Sequence, residues 1–253
     1  IMWDFNFDQN KPIIVDNKLE YNLKQIKEFS KNFDNFLGKE KKLVFLLCEN
    51  SAGAILGYLS LILNKHVPMM IDSNIDEFLL KKLMKSYKPH YIWTPSDKIN
   101  GYSKIFTFKN YTLLKSKKFV NYKIHSDLCL LAPTSGSTGS QKYVRQSYKN
   151  VIKNTKSIIE YLKINKNHRT ITNLPLSYTF GMSIINTHFS VGSTIFLTNF
   201  SLLQKEFWNI FYQKKINFFY GVPYTFEILN KLKFFKKKCS ELLTIAQAGG
   251  KLN

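Results

Sequence analysis

The stretch DLCLLAPTSGSTGSQKYVRQS, residues 127–147, decides how the surrounding chain folds. It begins with the apolar run 127–132, which is typical of a buried strand, and ends with the β-rich run 143–147. Between them lie seven consecutive hydroxyl or glycine residues, 134–140, followed by Gln141 and Lys142. The sequence therefore predicts a strand, a loop and a hairpin return strand.

The composition of this loop suits the binding of phosphate groups. Glycines let the backbone approach a ligand closely and point successive N–H groups at phosphate oxygens. Hydroxyl groups add donors, and Lys142 adds a positive charge. The pattern differs from the P-loop G-x-x-x-x-G-K-[ST], because Ser140 and Gln141 separate Gly139 from the lysine. A flexible linker is the alternative, but a linker need not begin at the end of a buried strand.

Strand-like apolar runs alternate with helix-length amphipathic stretches on both sides of the loop, which predicts an α/β fold. Before the loop, we expect strands at 43–48, 67–72 and 90–94 with helices at 52–65 and 75–88. The lysine-rich segment 96–126 is predicted to be an irregular connection. After the loop, the expected helices are 148–164, 180–190, 202–215 and 224–237, and the expected strands are 169–175, 194–198, 216–223 and 242–250.

These elements predict two lobes of mainly parallel sheet flanked by helices. Residues 1–126 would form a first α/β lobe with its connecting segment, and residues 127–253 a second, nucleotide-binding α/β lobe. The longest apolar run, 52–63, has 12 residues, whereas a bilayer crossing needs about 20. The amino end has no signal-peptide pattern. We therefore expect a cytoplasmic protein with no transmembrane segment.

The net charge of +20 raises the question of nucleic-acid binding. Of the 37 basic residues, however, only Arg145 and Arg169 are arginine, the side chain best suited to reading phosphates and bases. We therefore expect no specific nucleic-acid partner, with a polyanion-binding module as a third-ranked alternative. We expect Arg145 to form a surface salt link, with a phosphate contact as the alternative. The scattered cysteines and histidines predict free thiols rather than a zinc site.

The loop resembles a known family signature. TSGSTGSQKYV, residues 134–144, is similar to the phosphate-loop pattern [ST]-S-G-[ST]-T-G-x-P-K-x-V of the adenylate-forming (AMP-binding) enzymes, which include acyl-CoA synthetases. The departure is Gln141, where proline is usual, and it should leave the loop freer. Three more stretches match family segments in order: LPLSYTFGMS (174–183), FFYGVPYTFEIL (218–229) and IAQAGGKL (245–252). The resemblance runs from about residue 43 onward.

The resemblance implies a role for each matching residue. The β- and γ-phosphates of ATP would be held by Thr134, Ser135, Gly136, Ser137, Thr138 and Gly139. Thr138 would also lie near Mg²⁺, and Thr138 and Lys142 are the expected catalytic residues. Gly249 and Gly250 would lie against the adenine.

Two further residues are assigned to the substrate pocket. Tyr178 would stand at the mouth of the carboxylate pocket, unless it is a core aromatic beside Pro175. Gly221 is assigned to the same pocket, although the segment 221–223 more often has only the structural role of starting a helix at proline.

The implied reaction activates a carboxylic acid with ATP and Mg²⁺ to an acyl-adenylate. The acyl group then passes to a thiol, either of CoA or of the phosphopantetheine arm of an acyl carrier protein. The family's next signature, Y-G-x-T-E, and its carboxyl-terminal domain have no counterpart in this sequence. We therefore expect an amino-terminal fragment of a ligase, incomplete at its carboxyl end, with little or no activity alone. The alternative is a non-catalytic nucleotide-binding pseudoenzyme or remnant.

Overall fold

The chain forms two compact α/β units in a computed structural model, which describes residues 3, 5–118, 120–134, 142–236 and 239–251. Unit 1 contains the described residues of 24–154 together with 175–179. Unit 2 contains the described residues of 3–23, 155–174 and 180–253. Each unit is built around a sheet of its own.

The strands and helices follow one another along the whole chain. In order they are β1 (Pro12–Asp16), β2 (Leu19–Asn22), α1 (Leu23–Leu37), β3 (Leu43–Cys48), α2 (Ala52–Leu63), β4 (Val67–Asp72), α3 (Glu77–Tyr87), β5 (Tyr91–Thr94), β6 (Tyr102–Phe108), β7 (Tyr111–Ser116), β8 (Leu128–Pro133), β9 (Tyr143–Ser147), α4 (Tyr148–Leu162), β10 (Arg169–Thr172), α5 (Thr179–Val191), β11 (Thr194–Leu197), α6 (Lys205–Gln213), β12 (Phe218–Gly221), α7 (Pro223–Lys231) and β13 (Thr244–Gln247), with a short 3₁₀ turn at Phe234–Lys236 between the last two.

The sheet of unit 1 has the strand order β6-β7-β5-β3-β4-β8-β9. Its centre, from β5 to β8, is parallel, and antiparallel strands close both edges. All six residues of β3 are buried, as expected for a strand covered on both faces. Within the described residues, no helix combines the length and the apolar character that crossing a bilayer requires.

The sheet of unit 2 has the order β13-β12-β10-β11-β1-β2 and is parallel except at the β1–β2 edge. Aromatic side chains dominate one of its core clusters, in which Phe207 and Phe211 of α6 pack against Phe219 of β12. The expected α/β class, with two sheets flanked by helices, is confirmed.

The segment 96–126 differs from the expectation of an irregular connection. It contains the antiparallel hairpin of β6 and β7, which pairs through β7 with β5. The lysines suggested a linker, but Lys104 lies on the half-exposed edge strand β6, where charged side chains protect against edge-to-edge association. The elements β1, β2 and α1 were likewise not predicted.

The two units also divide the chain differently from the predicted boundary between residues 126 and 127. Strands β8 and β9 belong to the sheet of unit 1, because Leu131 of β8 pairs in parallel with Met69 of β4. Strand β1 belongs instead to the sheet of unit 2, because Ile14 pairs with Ile195 of β11. Strand pairing between residues 62 and 181 positions apart, rather than chain order, sets the division.

Candidate nucleotide-binding site

The two ends of the hydroxyl- and glycine-rich loop are joined by hydrogen bonds. The backbone N–H of Thr134 donates to the carbonyl oxygen of Lys142 at 2.8 Å, and the Thr134 hydroxyl donates to the same oxygen at 3.2 Å. Below this closure β8 and β9 pair antiparallel, with Pro133 opposite Tyr143. The predicted hairpin return is therefore confirmed. Ser135, Gly136, Ser137, Thr138 and Gly139, together with residues 140 and 141, lie outside the described residues.

The loop leaves the sheet of unit 1 at the carboxyl end of β8. The neighbouring strand β4 runs parallel and ends at Asp72, so its following turn lies at the same edge. The Asp72 carboxylate accepts a hydrogen bond from the Asn74 backbone N–H at 2.8 Å, which orders that turn. Ligands of open parallel sheets bind at such carboxyl edges.

The Lys142 side chain is exposed, while its backbone is fixed by the bonds from Thr134. An exposed ammonium on a fixed backbone position can reach a phosphate without disturbing the hairpin. The described residues contain no group of three or more His, Cys, Asp or Glu side chains placed to hold a metal.

The structure brings Gly221, Gly249 and Gly250 together at the carboxyl edge of the sheet in unit 2. Gly221 ends β12 and pairs with Gln247 of β13. Gly249 has φ +86°, a left-handed conformation that favours glycine. The Gln247 side-chain amide donates to the Gly250 carbonyl at 2.7 Å, and a Cβ on Gly250 would lie 3.1 Å from Pro223 Cγ. A side chain would therefore be strained at Gly249 and crowded at Gly250, so this turn presents only backbone atoms.

Gly221 has a packing reason to be glycine. A Cβ at this position would lie 2.7 Å from Thr225 Cγ2 and 2.9 Å from the Phe226 ring, both on α7. The Thr225 hydroxyl accepts a hydrogen bond from the Val222 N–H at 3.1 Å and so fixes the start of the helix. The structural alternative for Gly221 is thus supported, and its role in a substrate pocket stays a prediction.

Tyr178 lies in the loop between β10 and α5. Its backbone N–H donates to the Pro175 carbonyl at 2.9 Å, which closes a tight turn. Its side chain is 37% exposed, so it is not a core aromatic. A phenol in this position is free to contact a ligand.

Comparison of the whole sequence with models of protein families identifies the family of this chain. Residues 7–253 match the family model of the AMP-binding enzymes. The chain belongs to the AMP-binding enzyme family. A curated relative of this AMP-binding enzyme is oxalate–CoA ligase of Saccharomyces cerevisiae, 28% identical over 142 residues, which are 52% of this chain and 24% of the ligase.

Solved structures show the same fold for this AMP-binding enzyme. VinN superimposes with a TM-score of 0.76 at 14% identity over 96% of this chain and 65% of its own. The o-succinylbenzoate CoA synthetase MenE of Bacillus subtilis, in complex with its acyl-adenylate intermediate, gives 0.72 at 15% identity over 94% of this chain and 64% of its own. The chain thus spans about a quarter of the curated relative and less than two-thirds of these two structures.

A buried histidine next to the glycine edge of this AMP-binding enzyme was missed by sequence reasoning. His188 of α5 is fully buried, and its Nε2 lies 2.8 Å from the hydroxyl of Tyr220, the residue before Gly221. Its Nδ1 has no hydrogen-bond partner among the described residues. Burial, and then the charge of His168, lowers the pKa of His188 from 6.5 to about 3. This histidine is therefore neutral in the folded protein and fixes the end of β12.

The neutral His188 should make the stability of this AMP-binding enzyme depend on pH. Below pH 6.5 the unfolded chain binds a proton at this histidine that the folded chain rejects. The contribution of His188 to the free energy of unfolding is therefore fully present well above pH 6.5. It decreases between pH 6.5 and pH 3, by up to about 1.4 kcal/mol per pH unit. Between pH 6.5 and pH 4.5, the free energy of unfolding measured by urea titration should fall by about 2.3 kcal/mol less in His188→Gln than in wild type. His125→Gln, which changes an exposed histidine, is the control; an unchanged slope in His188→Gln would contradict the assignment.

Proposed function

We propose that this chain supplies the ATP-binding part of an AMP-forming ligase that activates a carboxylic acid. One observation carries the proposal: the hydroxyl- and glycine-rich loop is closed by the Thr134–Lys142 hydrogen bonds at the carboxyl edge of a parallel sheet. Family membership supports the same class of reaction. In this proposal ATP is a substrate and Mg²⁺ neutralises part of its phosphate charge.

The first step joins the acid to the nucleotide. A carboxylate oxygen attacks the α-phosphorus of ATP, a P–O bond forms, the bond between the α-phosphorus and the bridging oxygen breaks, and pyrophosphate leaves. The residues proposed to hold the β- and γ-phosphates are Thr134, Ser135, Gly136, Ser137, Thr138 and Gly139. The Lys142 ammonium would offset the charge that builds up on the leaving pyrophosphate, and the Thr138 hydroxyl would help to hold a magnesium ion that supplies further positive charge.

The second step transfers the acyl group to a thiol. The sulfur attacks the carbonyl carbon, the C–O bond to AMP breaks, and the thiol proton passes to solvent. Both the oxalate–CoA ligase relative and MenE are CoA ligases by name, which supports CoA as the acceptor. A phosphopantetheine arm of a carrier protein presents the same thiol. Adenine is proposed to lie on Gly249 and Gly250, and Tyr178 to line the entrance for the acid.

The proposal is tested in two measurements. Isothermal titration with Mg-ATP should show saturable binding to this chain. ATP–pyrophosphate exchange should then be measured, on this chain and on the longest natural protein that contains it, with a panel of carboxylic acids that includes oxalate and o-succinylbenzoate. Exchange that depends on one acid supports the ligase. ATP binding without exchange under any condition would favour the non-catalytic nucleotide-binding alternative, and no ATP binding would refute both.

A further inference from the structure

A groove of about 750 Å³ in unit 1 is lined in part by residues of β3, β4, β8 and β9, and its lining residue Tyr143 directly follows Lys142 in the chain. Its floor is apolar and consists of Leu43, Val67 and Leu131, which come from β3, β4 and β8. These three side chains belong to one buried core cluster. The volume falls within the range of small-molecule pockets, about 300–1,000 Å³.

Three tyrosines form the walls of the groove: Tyr87 at the end of α3, Tyr122, and Tyr143 at the start of β9. The rings of Tyr87 and Tyr143 approach edge to face with centroids 6.1 Å apart. The Tyr122 hydroxyl donates to the Lys88 carbonyl at 3.0 Å, which fixes the third ring. The walls are therefore rigid apolar surfaces that fit the hydrocarbon part of a ligand.

Arg145 of β9 lines the same groove with an exposed side chain. The surface salt link predicted for it is not found: within the described part of the chain, Arg145 has neither an ion pair nor a side-chain hydrogen bond. The other arginine, Arg169, has an internal role, since its Nε donates to the Lys214 carbonyl at 2.6 Å and it stacks on Phe196. Among the described residues, the exposed Arg145 guanidinium is therefore available at the groove to bind an anionic ligand.

The charges around the groove favour an anion. The lining residues include two cationic side chains, Lys123 and Arg145, and one carboxylate, Asp127. A guanidinium can bind a carboxylate through two parallel hydrogen bonds, a geometry that an ammonium cannot reproduce. One guanidinium above an apolar floor therefore suits a ligand that carries a single carboxylate at the end of an apolar tail.

We propose that this groove is a binding site for an amphipathic carboxylate. The head group pairs with the Arg145 guanidinium, and the hydrocarbon tail lies on Leu43, Val67 and Leu131 between the tyrosine walls. The site goes beyond the proposed ligase reaction, because none of its lining residues is proposed to hold ATP and all of them except Tyr143 lie outside the loop signature at 134–144. Binding here requires no nucleotide.

The test uses decanoate as the probe and decanol as its uncharged counterpart, titrated without ATP and followed by tyrosine fluorescence and calorimetry. Arg145→Gln should weaken decanoate binding at least tenfold and leave decanol binding unchanged, with Arg145→Lys intermediate. Lys149→Gln removes an equal charge from an exposed position outside the groove and should stay within twofold of wild type. Ile124→Trp, which fills the groove, should weaken both probes.

Two results would overturn the proposal. One is the absence of saturable decanoate binding to the wild-type chain. The other is an equal loss in Arg145→Gln and Lys149→Gln, which would mean that the net charge, and not the groove, attracts the anion. Decanoate bound at the ligase site as a substrate would be insensitive to Arg145→Gln, so the test separates the two sites. Melting temperatures of the variants show whether each one is folded.

Discussion

Replacing Gly57 with alanine is expected to lower the free energy of unfolding by about 2–3 kcal/mol. Gly57 lies in α2 directly beneath Trp93 of β5, and a Cβ there would fall far inside van der Waals contact with the indole Nε1 and Cδ1. The same indole N–H donates to the Gly53 carbonyl at 2.9 Å in a fully buried site. An added methyl group would push the ring away and break this bond.

Helix propensity alone predicts the opposite sign for Gly57→Ala. Alanine is favoured over glycine in a helix interior by about 1 kcal/mol. Overpacking costs about 1–3 kcal/mol, and the broken hydrogen bond adds to this, so the steric effect should win. Gly53 has the same role for Tyr111, whose Cδ2 would lie 2.6 Å from its Cβ. The two glycines of α2 thus let two aromatic rings rest directly on the helix backbone.

Urea denaturation measures this effect, and two controls locate its cause. Gly38→Ala also replaces a glycine, at φ +77° with open space around the Cβ, and should cost only about 1 kcal/mol from backbone strain. In a Trp93→Leu background the indole is absent, so the cost of Gly57→Ala should disappear and helix propensity should make the substitution stabilising by up to about 1 kcal/mol. A cost that is unchanged in this background would show that the clash is not the cause.

The centre of each sheet could be predicted because its strands are locally distinctive. Buried parallel strands such as β3 are short, continuously apolar runs, and the helices between them carry periodic apolar stripes. Edges are less distinctive. Strand β6 is half exposed and rich in polar residues, so its sequence resembles a loop, and only its pairing with β7 reveals a strand. Local pattern is therefore informative where burial is complete and uninformative where a strand faces solvent.

The unit to which a strand belongs could not be predicted from the position of that strand in the chain. Ile14 and Ile195 are partners in the same sheet although about 180 residues separate them. Nothing in the sequence of β1 specifies which sheet it joins, because any exposed edge with a matching apolar face can accept a strand. The predicted boundary followed chain order, whereas the sheets follow partners that only the folded structure reveals.

In the candidate site, too, a contiguous motif could be predicted from the sequence, whereas residues that only folding brings together could not. The loop motif was recognisable because its glycines, hydroxyls and lysine are contiguous, and the hairpin that bears it was found as predicted. His188 gave no such signal, because a single histidine in an apolar helix has no pattern that distinguishes a surface position from a buried one. Arg145 was noticeable for its rarity, but its groove is formed by residues from four strands, two helices and a connecting segment.

Lys142→Ala is expected to reduce kcat/KM for ATP–pyrophosphate exchange about a hundredfold in the exchange-competent protein, since a positioned charge at a departing phosphate contributes about 10²–10³ to the rate. The substitution removes the charge without dismantling the site. Both bonds that close the loop end on the Lys142 carbonyl oxygen, which alanine retains. A large loss would therefore report on the ammonium rather than on the hairpin, and an unchanged melting temperature should accompany it.

The control for Lys142→Ala must separate one lysine from a chain whose net charge is +20. Lys149→Ala removes the same charge from an exposed position in the first turn of α4. At 0.15 M salt the Debye length is about 8 Å, so a distant lysine contributes little at the phosphates, and Lys149→Ala should change exchange less than twofold. Thr134→Val removes the side-chain bond but keeps the backbone bond, and should give a smaller loss than Lys142→Ala. Equal losses in Lys142→Ala and Lys149→Ala would mean that the general positive field attracts the nucleotide, and the loop would then lose its role as a phosphate site.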